Sequence, residues 1–226
     1  MQEKDPIFII PTQEHITVFV KWAVIVLASF LAIYLTSNNY ASSQSEHYHL
    51  YTDWELTIPL VPPMILIYFS YVIVFIMVLF VFKAPEAIKG LAYSMLFALV
   101  ASGVIFVLFP GHLGYERPDH VAGYGILYKL LYNIDQPHNL FPSLHVVFAS
   151  LCVLSLIQQS SNTWFHTILK IWFVMVCASV ILVHQHHLFD IASGFALAWI
   201  VYKKVYLKMA TKTQIEEDVT IKEVVI

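Results

Sequence analysis

Residues 88–109 read IKGLAYSMLFALVASGVIFVLF, and after Lys89 no side chain in this stretch carries a charge. At 1.5 Å per residue a helix of that length crosses about 30 Å, the hydrocarbon thickness of a bilayer. Five more apolar runs surround it, at roughly 16–36, 59–82, 143–159, 165–184 and 186–206. Six spanning helices are therefore expected. The whole chain agrees: of 226 residues, 59% are hydrophobic and 12% charged, with a mean hydropathy of +0.72. Soluble domains are not built this way, whereas polytopic membrane proteins are. No polar segment is long enough to bury a core of its own. The expected fold is an all-α, six-transmembrane-helix bundle forming a single integral-membrane domain over residues 1–226, with a flexible cytoplasmic tail from about 209 to 226.

The first run is read as a retained helix rather than a cleaved signal. It follows some 15 mostly polar residues, is longer than the 7–15 residues of a signal's apolar region, and has no small-residue cleavage site before Ser37-Asn38-Asn39. Cys152 and Cys177 fall inside spans and form no CxxC pattern, which makes them packing thiols.

Charge sets the orientation. With six spans, ten lysines (Lys4, Lys21, Lys83, Lys89, Lys170, Lys203, Lys204, Lys208, Lys212 and Lys222) share the side of the termini, and only Arg117 and Lys129 lie opposite. The positive-inside rule places the termini in the cytoplasm. Histidine runs the other way: nine of eleven, all but His15 and His166, fall on the non-cytoplasmic side. Interfacial tolerance accounts for His47, His49 and His120. It accounts poorly for His145 and for His184, His186 and His187, which begin or interrupt apolar runs, where ionisable groups are costly.

The connections are short. A polar loop covers 37–57, with Tyr48, Tyr51 and Trp54 suited to an interfacial belt. Pro59, Pro62 and Pro63 kink or delay the second span. The longest connection is 110–142, and its segment 121–132, VAGYGILYKLLY, has helical spacing but cannot span; it reads as an interfacial helix.

Three segments inside or beside these runs carry the chemistry. His186 and Asp190 are four residues apart, hence on one helix face. A carboxylate there fixes the imidazole's tautomer and supports its cation; a satisfied buried His–Asp pair reads equally well. His145 follows Pro142 and Ser143 at the start of a span. Proline suits a first turn and serine caps it, so this helix start is an anion site or simply a cap. Arg117, in Glu116-Arg117-Pro118, has the planar fork that suits phosphate, or is an ordinary loop arginine.

Together these segments resemble the type 2 phosphatidic acid phosphatase (PAP2) superfamily of membrane phosphatases and phosphotransferases, whose signature is K-x6-R-P, then P-S-G-H, then S-R-x5-H-x3-D. Arg117-Pro118 matches the end of the first motif. Pro142-Ser143-Leu144-His145 matches the second, with Leu144 in place of glycine. Ser179, His186 and Asp190 match the third at the family spacing. The resemblance covers roughly 85–206. It departs where Pro110 replaces the first-motif lysine and Val180 the third-motif arginine. A P-S-L-H motif without that arginine is similar to the inositol-phosphorylceramide synthase branch, whose members move phosphoryl head groups between lipids.

The resemblance implies a phosphoric ester hydrolase or phosphotransferase acting without a cofactor or metal. In it His186 attacks phosphorus to form a phosphohistidine, Asp190 supports His186, and His145 protonates the leaving oxygen. Arg117, Ser143, Ser179 and His187 hold the phosphate. The implied partners are a lipid phosphate and the bilayer, not nucleic acid; the acceptor is water or a lipid alcohol, and oligomeric state stays open. The small size suits a bacterial inner membrane, with the site on the periplasmic or lumenal face. Two other readings remain: a metal site built from His184, His186, His187 and Asp190, and a non-catalytic membrane protein.

Overall fold

The computed structural model describes residues 6–135 and 137–210. Among them regular structure is helical, apart from an isolated bridge between Tyr48 and Gly111. Helix α1 (Gln13–Ser42) is capped by Thr12, whose hydroxyl accepts the His15 N–H. It runs six residues past the expected boundary at 36. The polar residues there do not end it because they turn inward: Ser37 and Asn38 are buried, and Asn139 Nδ2 donates to Ser37 Oγ at 2.9 Å and to the Tyr34 carbonyl at 3.0 Å.

The second run forms two helices, α2 (Met64–Phe69) and α3 (Tyr71–Val81). Pro62 and Pro63 delay the start, as proline does where N–H donors are needed. Ser70 breaks the run: its N–H and Oγ both turn back to the Ile67 carbonyl, at 3.0 and 2.6 Å, and Trp172 Nε1 donates to that Oγ at 2.9 Å. Helix α4 (Pro85–Leu108) carries Pro85 in its first turn, where a missing N–H costs nothing. Helix α5 (Gly125–Ile134) matches the short non-spanning segment expected at 121–132, and it buries Tyr128 and Leu131.

Helices α6 (Leu144–Gln158), α7 (Thr163–Leu182) and α8 (Leu188–Val201) complete the bundle. The last continues through a π-turn at Tyr202–Tyr206 and remains helical to residue 210. Four segments are long and apolar enough to cross a membrane: α1, α2 with α3 (Met64–Val81), α4 and α7. These account for four of the six expected spans. Capping by Ser143 and a stop at residue 158 leave α6 with 15 residues, below the roughly 17–25 of a span, and regular α geometry in α8 lasts only 14. The tail expected from about 209 lies, beyond Met209 and Ala210, outside the described residues.

Helix α4 is the central post, with half of its most apolar window buried against 6% for α1. Leu91, Met95, Ala98 and Leu99 of α4 join Val147, Leu151 and Leu156 of α6 in the main core. Against this core α8 approaches α6 closely at Gly194, where a Cβ would come within 2.9 Å of the Ser143 carbonyl and 3.2 Å of Val146 Cβ. That approach brings together the two helix starts that carry His145 and Asp190. Gly194→Ala is therefore expected to push the helices apart and cost about 1–3 kcal/mol, the usual scale of overpacking. Thermal unfolding in detergent measures it, and an unchanged midpoint would contradict the close approach.

Candidate active site

Several elements end at the same place: the last third of α1, the helix α2, the loop at 115–117, residue 135, and the starts of α6 and α8. Each supplies one polar group to a mostly enclosed site.

The start of α8 is fixed by reciprocal capping. His187 is the N-cap residue, and its backbone N–H donates to Asp190 Oδ2 at 2.8 Å. A carboxylate in a first turn also meets the positive end of the helix dipole. The same oxygen lies 3.4 Å from His186 Nδ1, an ion-pair distance without hydrogen-bond geometry. The Asp190 backbone carbonyl accepts the Ser143 N–H at 3.1 Å, which ties α8 to α6. Ser143 caps α6 through its Oγ, which accepts the Val146 N–H at 3.4 Å.

His145 stands one residue into α6. Its ring centroid is 6.4 Å from that of His186. Its Nδ1 is paired with the Tyr68 hydroxyl at 3.2 Å, and Tyr68 is buried. The two imidazoles are thus differently supported, His186 by a carboxylate and His145 by a phenol. In each ring it is Nδ1 that faces the support, which leaves Nε2 for another partner.

Arg117 closes one side. Its Nη1 donates to the Asp135 carbonyl at 2.6 Å and its Nη2 to Gln185 Oε1 at 3.3 Å, while the guanidinium covers the Tyr132 ring at 4.9 Å. These hydrogen-bond partners are neutral, and Nε is enclosed without a hydrogen-bond partner. The Asp135 carboxyl accepts a short hydrogen bond from Tyr34. Burial raises its pKa, against the pull of Tyr34, His186 and Arg117. Below His145 a cavity of about 330 Å³ extends between α1, α3 and α6, bordered by Phe30, Phe75, Phe148 and Trp172.

Two of the expected phosphate contacts are placed elsewhere. Ser179 Oγ donates to the Val176 carbonyl of its own helix at 2.8 Å. His187 is bonded through Nε2 to the Leu113 carbonyl and stacked on Tyr51 and Tyr115, at 4.4 and 4.7 Å. Neither makes a hydrogen bond or ring contact with His145 or His186 among the described residues. His184 also joins the stack, 4.1 Å from Tyr115, and its Nε2 is paired with the Ile58 carbonyl at 2.9 Å. The histidine cluster at 184–187 therefore splits, with His186 turned to His145 and its neighbours to the loop. No three His, Cys, Asp or Glu side chains among the described residues converge to hold a metal ion, so the alternative metal site has no ligand set.

Four contributors escaped the sequence reading: Tyr34, Tyr68, Asp135 and Glu55. Tyr34 and Tyr68 look like ordinary aromatic residues of apolar runs, and Asp135 like a loop carboxylate. Glu55 is buried at the start of α8, where Oε2 accepts the Leu188 N–H at 2.8 Å and Oε1 the Thr52 N–H at 2.9 Å. It is 3.6 Å from His187 Nδ1, and Tyr115 donates to its carbonyl at 3.0 Å. Burial pushes the Tyr115 phenol up to about 12, which keeps it a donor.

These features define a helical membrane protein with a histidine pair, a carboxylate support and one arginine at one end of its bundle. The chain belongs to the PAP2 superfamily, whose family model matches residues 91–214. That superfamily comprises membrane phosphatases and phosphotransferases. No curated protein matches the chain.

Glu55 yields a pH prediction. Burial works to raise its pKa, but the Leu188 and Thr52 N–H groups and the Thr52 hydroxyl outweigh it and hold the carboxyl below the ordinary 4.5. A lowered folded pKa contributes stability that is present above the unfolded value and lost as pH falls through the folded one. Hydrogen exchange in 52–57 and 187–190 should therefore accelerate as pH drops below about 4.5, after correction for intrinsic rates. Glu55→Gln should exchange faster at neutral pH and show no such acid step. An acid step retained in the variant assigns the titration to another group.

Proposed function

We propose that the protein is a membrane-embedded lipid phosphatase or phosphotransferase that cleaves a phosphate ester through a phosphohistidine on His186. The carrying observation is the His145–His186 pair, with ring centroids 6.4 Å apart and unlike supports. That spacing accommodates a phosphoryl group, with one ring near an attack distance of about 3–3.5 Å and the other beside the leaving oxygen.

The supports favour one division of roles. An attacking imidazole becomes a cation when its N–P bond forms, and the Asp190 carboxylate stabilises that cation. His186 is accordingly the nucleophile through Nε2. A phenol gives His145 orientation without extra basicity, which suits a group that gives up its proton. His145 delivers that proton to the departing oxygen as the P–O bond breaks, then takes one from the incoming acceptor. Arg117, through its free Nε, and the capped start of α6 at Ser143 face the charge developing on the phosphoryl oxygens. Ser179 and His187 enter as supports of these elements rather than as phosphate contacts.

The cavity beside His145 favours a lipid substrate, since its apolar lining lies against the site and among helices that face acyl chains. Water as acceptor gives hydrolysis. A lipid alcohol gives head-group transfer, which the P-S-L-H motif and the absence of cations at Pro110 and Val180 favour as the second reading. With α6 and α8, although short, taken as two further crossings, both termini are cytoplasmic, and the lysine bias then favours a site on the periplasmic or lumenal face.

With lipid phosphates in detergent micelles, His186→Ala should abolish turnover and His145→Ala should lower it about 10²–10⁴-fold, the usual range for general acid–base catalysis. Undiminished turnover in both would sink the mechanism. A reporter inserted within 119–124 should read non-cytoplasmic; a cytoplasmic signal would overturn the orientation.

A further inference from the structure

The hydrogen bond from His145 to Tyr68 has a direction, and the direction has consequences. Tyr68 of α2 is 1% exposed, and its hydroxyl lies 3.2 Å from His145 Nδ1. Among the described residues that hydroxyl has no second hydrogen-bond partner. A phenol has one hydrogen to place, and a buried donor left without an acceptor is costly. If Nδ1 carried the ring hydrogen and donated it, the phenolic hydrogen would be stranded. Tyr68 therefore donates and Nδ1 accepts. In neutral His145 the ring hydrogen then sits on Nε2.

Two features keep this imidazole neutral. It stands in the first turn of α6, at the positive end of the helix dipole. It also lines the apolar cavity, together with Phe148 and Trp172. Both disfavour a cation there. A neutral imidazole that gives up its Nε2 hydrogen is left as an anion unless Nδ1 gains a proton at the same time. The Tyr68 hydroxyl is in place to supply that proton.

We infer that Tyr68 and His145 form a proton relay, in which the Tyr68 hydroxyl resupplies Nδ1 as Nε2 protonates the leaving oxygen. The inference rests on the phosphoryl-transfer reading of the same site and adds the source of its proton. His186 Nε2 bonds to phosphorus and the bond from phosphorus to the lipid alcohol oxygen breaks. The His145 Nε2 proton goes to that oxygen, and the Tyr68 proton moves to Nδ1. The imidazole stays neutral and Tyr68 becomes a phenolate. The transfer runs downhill: a phenol has a pKa of about 10, whereas an alkoxide is about as basic as hydroxide, whose conjugate acid, water, has a pKa of about 15.7. It also leaves Nε2 bare, the form needed to take a proton from the incoming water or alcohol. As Nε2 takes it, Nδ1 returns its proton to Tyr68 and the starting pair is restored. Tyr68 acts through His145 and does not meet the substrate; its part is to position a proton.

The first test needs no substrate. Long-range proton–nitrogen NMR correlations are recorded on the purified full chain in detergent, labelled with nitrogen-15 at histidine and assigned with His145→Ala. At pH about 7.5 His145 should be neutral, with its hydrogen on Nε2. The second test compares kcat/KM for phosphatidic acid in mixed micelles between the wild type and Tyr68→Phe, at pH about 6.5 and about 8.5. Without the phenol, His145 delivers a proton only as an imidazolium, whose population falls about tenfold per pH unit above its pKa. The ratio of variant to wild type should therefore fall at least about tenfold across that range. The titratable groups around the pair are Tyr71, whose ring stands edge-on 5.4 Å from that of His145, Cys152 on the cavity wall, and His186. Asp135 and Arg117 act electrostatically on Tyr68. All are unchanged in the variant, so their titration and that of the substrate cancel in the ratio. Tyr71→Phe removes a nearby hydroxyl that makes no hydrogen bond to His145, and it should keep the wild-type pH dependence. A Tyr68 that only packs against His145 would change turnover equally at both pH values. A hydrogen on Nδ1, an imidazolium at pH about 7.5, or a ratio that stays constant with pH overturns the relay while leaving His186-dependent chemistry intact. Turnover that survives His186→Ala overturns instead the reading on which it rests.

Discussion

The site depends on how the carboxylate and carbonyl of Asp190 divide their work. The side chain accepts the His187 N–H and sits against His186, while the backbone carbonyl accepts the Ser143 N–H. One residue thus closes the first turn of α8, supports an imidazole and joins the start of α6. Buried carboxylates are tolerated only when their oxygens are satisfied. The helix start provides N–H donors that would otherwise be orphaned. Capping and support of the histidine are therefore the same interaction, and the spacing of His186 and Asp190 cannot drift without losing both.

Around this joint the chain recruits groups from regions that the family model does not reach. Tyr34 of α1, Glu55 of the first loop and Tyr68 of α2 all precede residue 91, where the match begins. Tyr68 orients His145, Tyr34 holds Asp135, and Glu55 grips the start of α8 from the opposite direction. Within the motifs His186 has the Asp190 carboxylate beside it, whereas the hydrogen bond to the His145 ring comes from Tyr68, outside them. The N-terminal elements supply the second layer of contacts that keeps such groups within productive geometry.

Much of this was legible in the sequence, and for definite reasons. Long apolar runs with a single lysine each gave α1, α4 and α7, because spanning a bilayer demands length and hydrophobicity. Pro142-Ser143 announced the start of α6 through capping chemistry, and the interval from His186 to Asp190 announced one face of α8. The break at Ser70 was not legible, since it depends on Trp172, a hundred residues away in sequence. The extra turns of α1 were hidden because Ser37 and Asn38 are polar, and the partner of Ser37, Asn139, lies a hundred residues away. The division of labour among His184, His186 and His187 was hidden as well. Adjacent imidazoles look alike in a sequence, and the Leu113 and Ile58 carbonyls that claim two of them come from distant loops.

The central claim is that His186, backed by Asp190, becomes covalently bonded to phosphorus. The most direct measurement is to react the purified protein with a lipid labelled at phosphorus, quench it in alkali, which preserves phosphoramidate bonds, and map the label by mass spectrometry. The account requires an alkali-stable, acid-labile adduct on His186 that accumulates transiently and is absent from His186→Ala. Turnover with no protein-bound phosphorus at any time, or with the label on His145, would contradict it.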